Sequence, residues 1–141
     1  MNSTVQTIFK IQMRLILSCF LILVVFYFSW LPQPDFRMLW YMPGWLALWS
    51  NAHDTLRTGI PFIFLGLLSG FRLAERNSSW KQWLITWIVF VLIAFLAEAG
   101  QLFIPKRVFD WRDIAWGCLG SLSGLLAVAA IRFFFKKLQA S

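Results

Sequence analysis

Residues Trp83 to Phe103 read WLITWIVFVLIAFLAEAGQLF, and these 21 residues hold one charged side chain, Glu98. As a helix at 1.5 Å per residue the run measures about 31 Å, close to the roughly 30 Å of hydrocarbon in a bilayer. It is apolar on every side, so it reads as a membrane span and not as one face of a soluble helix. Three further apolar runs repeat the pattern. Leu15 to Leu31 follows Lys10 and Arg14; His53 to Leu73 carries Pro61 near its start; Ile114 to Phe135 ends on Lys136 and Lys137. The runs predict helices over 15–31, 53–73, 83–103 and 114–135. The expected fold is an all-α integral membrane protein, a bundle of four transmembrane helices forming one domain over 1–141.

Composition supports this class. The 141 residues are 60% apolar and 13% charged, with a mean hydropathy of +0.69. That excludes a disordered chain and an ordinary soluble domain, and the spans leave no length for a second domain. A net charge of +7 would suggest nucleic acid in a soluble protein. Here the basic residues flank apolar runs, so anionic headgroups and topology account for them, and no nucleic-acid partner is expected. The first run lacks a small-residue cleavage site, since it ends Tyr27-Phe28-Ser29-Trp30-Leu31-Pro32, and is read as a retained helix. Its Cys19 precedes most of the apolar stretch instead of following it, which argues against a lipobox.

Between the first and second spans, Pro32, Pro34, Pro43 and Gly44 break the chain while Trp40, Tyr41, Trp45 and Trp49 accumulate. Aromatic residues with proline breaks suit an interfacial loop or a short surface helix. Four spans put both termini on one side. The connections on that side hold eight Lys and Arg residues against five on the other, Arg37, Arg57, Lys106, Arg107 and Arg112. The positive-inside rule therefore places both termini in the cytoplasm and the 32–53 and 104–113 connections outside. Cys19 and Cys118 then differ in depth by about 12 Å, too far for a disulfide, and are expected to be free thiols. With one histidine and no CxxC in the chain, no metal and no cofactor are expected.

Charges at membrane depth are costly, so their placement points to function. They gather at the outward end. The third span ends Glu98-Ala99-Gly100-Gln101-Leu102-Phe103-Ile104-Pro105, with Glu98 and Gln101 on one helical face. Arg107, Asp110 and Asp113 follow, Asp113 at the expected N-cap or first turn of the fourth helix. His53, Asp54 and Arg57 open the second span at the same level. The candidate substrate-binding set is Asp54, Arg57, Glu98, Gln101, Arg107, Asp110 and Asp113, and Glu98 is the candidate catalytic base. His53, next to Asp54, needs no role beyond hydrogen bonding. Glu98 lies deep enough to need a cation, with Arg107 expected as its partner and Arg57 as the alternative. Gly66–Gly70 and Gly120–Gly124 are small-x-x-x-small patterns for close helix packing, within the chain or in a homo-oligomer built on the glycine faces.

The series Glu98-x-x-Gln101-x-Phe103-x-Pro105-x-Arg107-x-x-Asp110-x-x-Asp113, followed by Gly120 and Gly124, resembles the signature of the VanZ-like family of small bacterial membrane proteins, named for a teicoplanin-resistance determinant. Asp54 with Phe62 and Gly66 resembles an earlier segment of the same family, and together the two cover about residues 50–130. Gly117 and Thr58 stand where the family commonly has Asn, and Phe64 where it has Pro. The resemblance implies a multi-pass protein of the bacterial inner membrane. Its outward polar cluster is expected to bind a cell-envelope or lipid-linked precursor headgroup, with a link to glycopeptide resistance and membrane lipids as partners. Arg57 and Arg107 would hold phosphate or carboxylate, and the carboxylates would orient them. Two other classes compete: a membrane-embedded enzyme using Glu98 as general base on a lipid-linked substrate, and an assembly partner without a site.

Overall fold

The computed structural model describes residues 3–32, 35–105 and 107–139, so Pro34 and Lys106 lie outside the described residues. All regular structure described is helical. Helix α1 spans Ser3–Ser29, α2 Gly44–Ala52, α3 Asp54–Glu75, α4 Trp80–Gln101 and α5 Trp111–Gln139, with one 3-10 turn at Phe36–Met38. Four of these, α1, α3, α4 and α5, are long and apolar enough to cross a membrane. The described residues are thus all-α, with four helices of the length and apolarity of membrane spans, and α2 is the short surface helix that the Trp-rich connection foreshadowed.

Helix boundaries differ from the apolar runs for local reasons. α1 starts at Ser3 instead of residue 15 and carries Lys10 and Arg14 within it, because long basic side chains tolerate a helical interfacial segment. α4 stops at Gln101, two residues short of the apolar run, where the chain turns toward Pro105. α5 begins three residues early because Asp110 supplies its cap: Oδ1 of Asp110 accepts from the Arg112 N–H at 2.8 Å, leaving Asp113 in the first turn.

The tightest packing joins α3 to α5. A Cβ on Gly66 would collide with Ser121 O and one on Gly124 with Ile63 O, while Gly120 lies against Gly59 O. The glycine faces therefore bring two backbones together inside the chain. A homo-oligomer, expected through these faces, would have to use other surfaces. Phe62, Leu65, Phe90, Ala94 and Ile114 form the buried core, against which Leu21, Ile22 and Val25 of α1 lean. Among the described residues α1 packs on α3 and α4 but not on α5, and Cys19 and Cys118, on these two separate helices, are both free thiols.

The α3–α4 turn is closed by backbone chemistry. Asn77 adopts φ 50°, a left-handed conformation that Asn tolerates, while Ser78 N bonds Leu73 O and Asn77 N bonds Ala74 O. That pair of bonds is a Schellman motif. Arg132 of α5 donates to Asn77 Oδ1 at 2.5 Å, and Arg14 of α1 pairs with Glu75 at 2.5 Å. This end of the bundle therefore carries the start of α1 and the finish of α5. The end of α1, the start of α3, the end of α4 and the start of α5 meet at the other.

Candidate functional site

That second end is built on the last turn of α1. The final carbonyls of a helix have no partner within it and carry its negative dipole end, so they attract donors. Arg107 supplies them: its Nη2 donates to Ser29 O at 2.7 Å and, more loosely, to Phe28 O at 3.4 Å. Trp30 completes the junction by donating from its indole Nε1 to Ala97 O at 3.0 Å. The indole fits only because residue 100 is glycine, since any Cβ there would overlap the ring.

Beneath Arg107 lies a buried polar relay. Glu98 and Gln101 are 3% and 4% exposed. The Gln101 amide nitrogen donates to Glu98 Oε1 at 2.6 Å and to Ser29 Oγ at 3.1 Å, while Asp110 N donates to Glu98 Oε2 at 3.2 Å. Glu98 thereby ties α4 to the cap of α5. The expected Glu98–Arg107 ion pair does not form, and neither does one with Arg57: among the described residues the ion pairs are Arg14–Glu75 and Arg37–Asp35. Pro105 turns the chain so that Arg107 reaches the α1 carbonyls instead of folding back on α4, and Glu98 takes neutral donors.

Between α1, the 35–50 segment and the start of α3 is a cavity of about 240 Å³. Arg57, Thr58, Gln101, Arg107, Asp113 and Ser29 form its polar wall. Val24, Val25, Phe28, Leu46 and Ile60 form the apolar one. Two guanidinium groups thus share one cavity with a single carboxylate. Burial, and after it the like charge of Arg57, lowers the Arg107 pKa, a direction that reflects an undercompensated cation. Its Nε is buried and, among the described residues, has no hydrogen-bond partner. Arg57 lies over the Phe36 ring, 4.6 Å from its centroid, in a cation–π contact, and among the described residues it is in no ion pair.

The roof is fastened by Asp35. Its Oδ1 accepts from Asn51 Nδ2 at 2.6 Å and from Arg37 N at 3.0 Å, and Oδ2 accepts from Arg37 Nη2 at 2.6 Å. The Arg37 guanidinium and backbone hold the Asp35 carboxyl far below the usual carboxylate range. Asn51 Oδ1 in turn accepts from Phe36 N at 3.1 Å, so the 3-10 turn is clipped to α2 and Phe36 is pressed into the molecule.

A family model described as VanZ/LLP1 matches residues 3–134. The chain belongs to the VanZ/LLP1 family. No curated protein and no solved structure matches it. In this VanZ/LLP1 protein the signature residues divide by position. Arg57, Gln101, Arg107 and Asp113 line the cavity; Glu98 sits behind Gln101; Asp110 caps α5; and Asp54, exposed, uses Oδ1 to accept from Thr55 N at 2.7 Å. His53 stacks on Trp49 and its Nδ1 lies 3.0 Å from Trp49 O, outside the cavity wall. Sequence reasoning missed Ser29, at the end of α1, and three further lining residues, Phe36, Trp49 and Ser50, whose only signal was membership of a Trp- and Pro-rich connection. Gly117, where the family commonly has Asn, fills no gap. A Cβ there would stand 3.0 Å from Ala94 Cβ and 3.2 Å from the Phe62 ring. Among the described residues no three His, Cys, Asp or Glu side chains group as metal ligands.

Proposed function

We propose that this membrane protein binds the anionic headgroup of a lipid-linked or cell-envelope precursor in the cavity at the α1–α3 end, without transforming it. The observation that carries this reading is the pair Arg57 and Arg107 on one cavity with one carboxylate, the Arg107 Nε being buried and unpartnered. Guanidinium matches phosphate or carboxylate by parallel N–H bonds, and a buried N–H left unmatched costs about 1–3 kcal/mol that a ligand oxygen would recover. The apolar wall gives the attached hydrocarbon a place beside the headgroup. Glu98 supports the site by fixing Gln101 and the α5 cap, and it sits behind the cavity wall, where it does not reach a bound headgroup as a general base. With the termini cytoplasmic, the cavity would open toward the outer face of a bacterial inner membrane. There, sequestering a precursor would alter sensitivity to glycopeptides, the phenotype for which the family is named.

Farnesyl phosphate and farnesol, which share a tail and differ in charge, test the reading on detergent-purified protein by native mass spectrometry. Farnesyl phosphate is expected to bind and farnesol not, with Arg57→Gln and Arg107→Gln each weakening binding about tenfold or more. Equal retention of the two probes, or full affinity in both variants, would overturn it.

A further inference from the structure

The opposite end of the bundle holds a second amphiphilic feature. A polar hollow of about 290 Å³ lies between the end of α3 and the start of α4, with Arg72, Arg76, Ser78 and Gln82 on its wall. An apolar hollow of about 280 Å³ lies between α1, α3 and α4, walled by Leu15, Ile22, Leu68, Val89 and Ile93. Ser69, Arg72, Ile85 and Thr86 belong to both, so the two form one groove with Arg72 at the junction.

Charge at this end is one-sided. Lys10, Arg14, Arg72, Arg76, Lys81, Arg132, Lys136 and Lys137 face a single acid, Glu75, and Arg14 already holds that acid. Arg132 is held by Asn77. Arg72 and Arg76 are in no ion pair among the described residues. The Schellman turn at Asn77 fixes Arg72 in the last turn of α3 and Arg76 at its C-cap, at the end of the apolar helix Asp54–Glu75.

We propose that this groove is a binding site for an anionic glycerophospholipid, its phosphodiester between Arg72 and Arg76 and one acyl chain along the apolar part toward Ile93. A free anion would need only the arginines. The apolar continuation, at membrane depth and walled by the loosely packed α1, matches a lipid tail. The site is separate from the cavity at the other end and does not depend on what that cavity binds.

The test uses the full chain in neutral detergent, with affinity read from the thermal midpoint against added phosphatidylglycerol, phosphatidylcholine or inorganic phosphate. Phosphatidylglycerol is expected to raise the midpoint and the other two to leave it unchanged. Arg72→Gln/Arg76→Gln should weaken phosphatidylglycerol by about tenfold per guanidinium removed. Lys136→Gln/Lys137→Gln, which removes the same charge from exposed positions, should keep the affinity within about twofold. Ser18 of α1 also lines the apolar part; Ser18→Phe, which fills that part and leaves both arginines in place, should also lose the shift, and it carries the test if the arginine variant does not fold. An equal shift from inorganic phosphate, an equal loss in the two charge variants, or an undiminished shift in Ser18→Phe would each overturn the proposal.

Discussion

Arg107 shows how a single guanidinium is divided between structure and function. One terminal nitrogen closes the carbonyl end of α1, and the buried Nε is left over. Glu98, by contrast, is fully engaged by neutral donors. Removing its carboxylate by Glu98→Ala would strand the Gln101 amide and the Asp110 N–H, at about 1–3 kcal/mol for the lost acceptor. In double-mutant cycles read from thermal unfolding in detergent, Glu98 should couple to Gln101 more strongly than to Arg107, by about 0.5 kcal/mol or more. A larger Glu98–Arg107 coupling would restore the ion pair that the sequence suggested. The sequence suggests that pair through the depth of Glu98 and the turn at Pro105; depth says that a buried carboxylate needs partners and is silent on whether they are charged.

Among the elements, the contact of α3 with α5 is the most demanding, because it is made backbone to backbone. A Cβ at Gly124 would stand 2.8 Å from Leu67 N and 3.0 Å from Gly66 C, neither of which can swing aside. Gly124→Ala should therefore destabilise the bundle by about 1–3 kcal/mol. Gly44→Ala, with nothing within 4 Å of the new methyl, should be neutral or slightly stabilising. Thermal midpoints of the two variants check this, and equal midpoints would mean that the helices separate freely. The 35–51 roof is governed by a carboxylate. Asp35 titrates below its ordinary value, so its contribution is present above the usual carboxylate pKa of about 3.9 and is lost as pH falls through the lowered one. Amide exchange of this segment, corrected for intrinsic rates, should show constant protection between about pH 7 and pH 5. Asp35→Asn should reduce protection already at neutral pH. A fall in wild-type protection across that range would show that another group holds the roof.

For the molecule as a whole, the even number of spans puts the start of α1 and the finish of α5 at one end, and Arg14–Glu75 and Arg132–Asn77 fasten that end. Eight of the 13 basic residues belong to it. The positive-inside rule then predicts that this end lies in the cytoplasm. A reporter fused after Ser141 that works only outside the membrane should be silent, and one that folds only in the cytoplasm should be active. The reverse pattern would turn the cavity toward the cytoplasm and remove the outward precursor as its ligand.

Hydropathy along the chain was enough to determine the number of helices long and apolar enough to span, because a bilayer requires each span to be long, apolar and helical whatever its neighbours are. The spacing of Gly66, Gly120 and Gly124 disclosed a close contact for the same local reason, and the polar residues had to gather where the spans end. Only the tertiary structure decided which helix each glycine met, that Arg107 would serve α1 instead of Glu98, and that Ser29, Phe36 and Trp49 would join Arg57 around one cavity. These contacts join residues tens of positions apart, and each depends on which of several acceptors at the same depth lies nearest once the helices have packed.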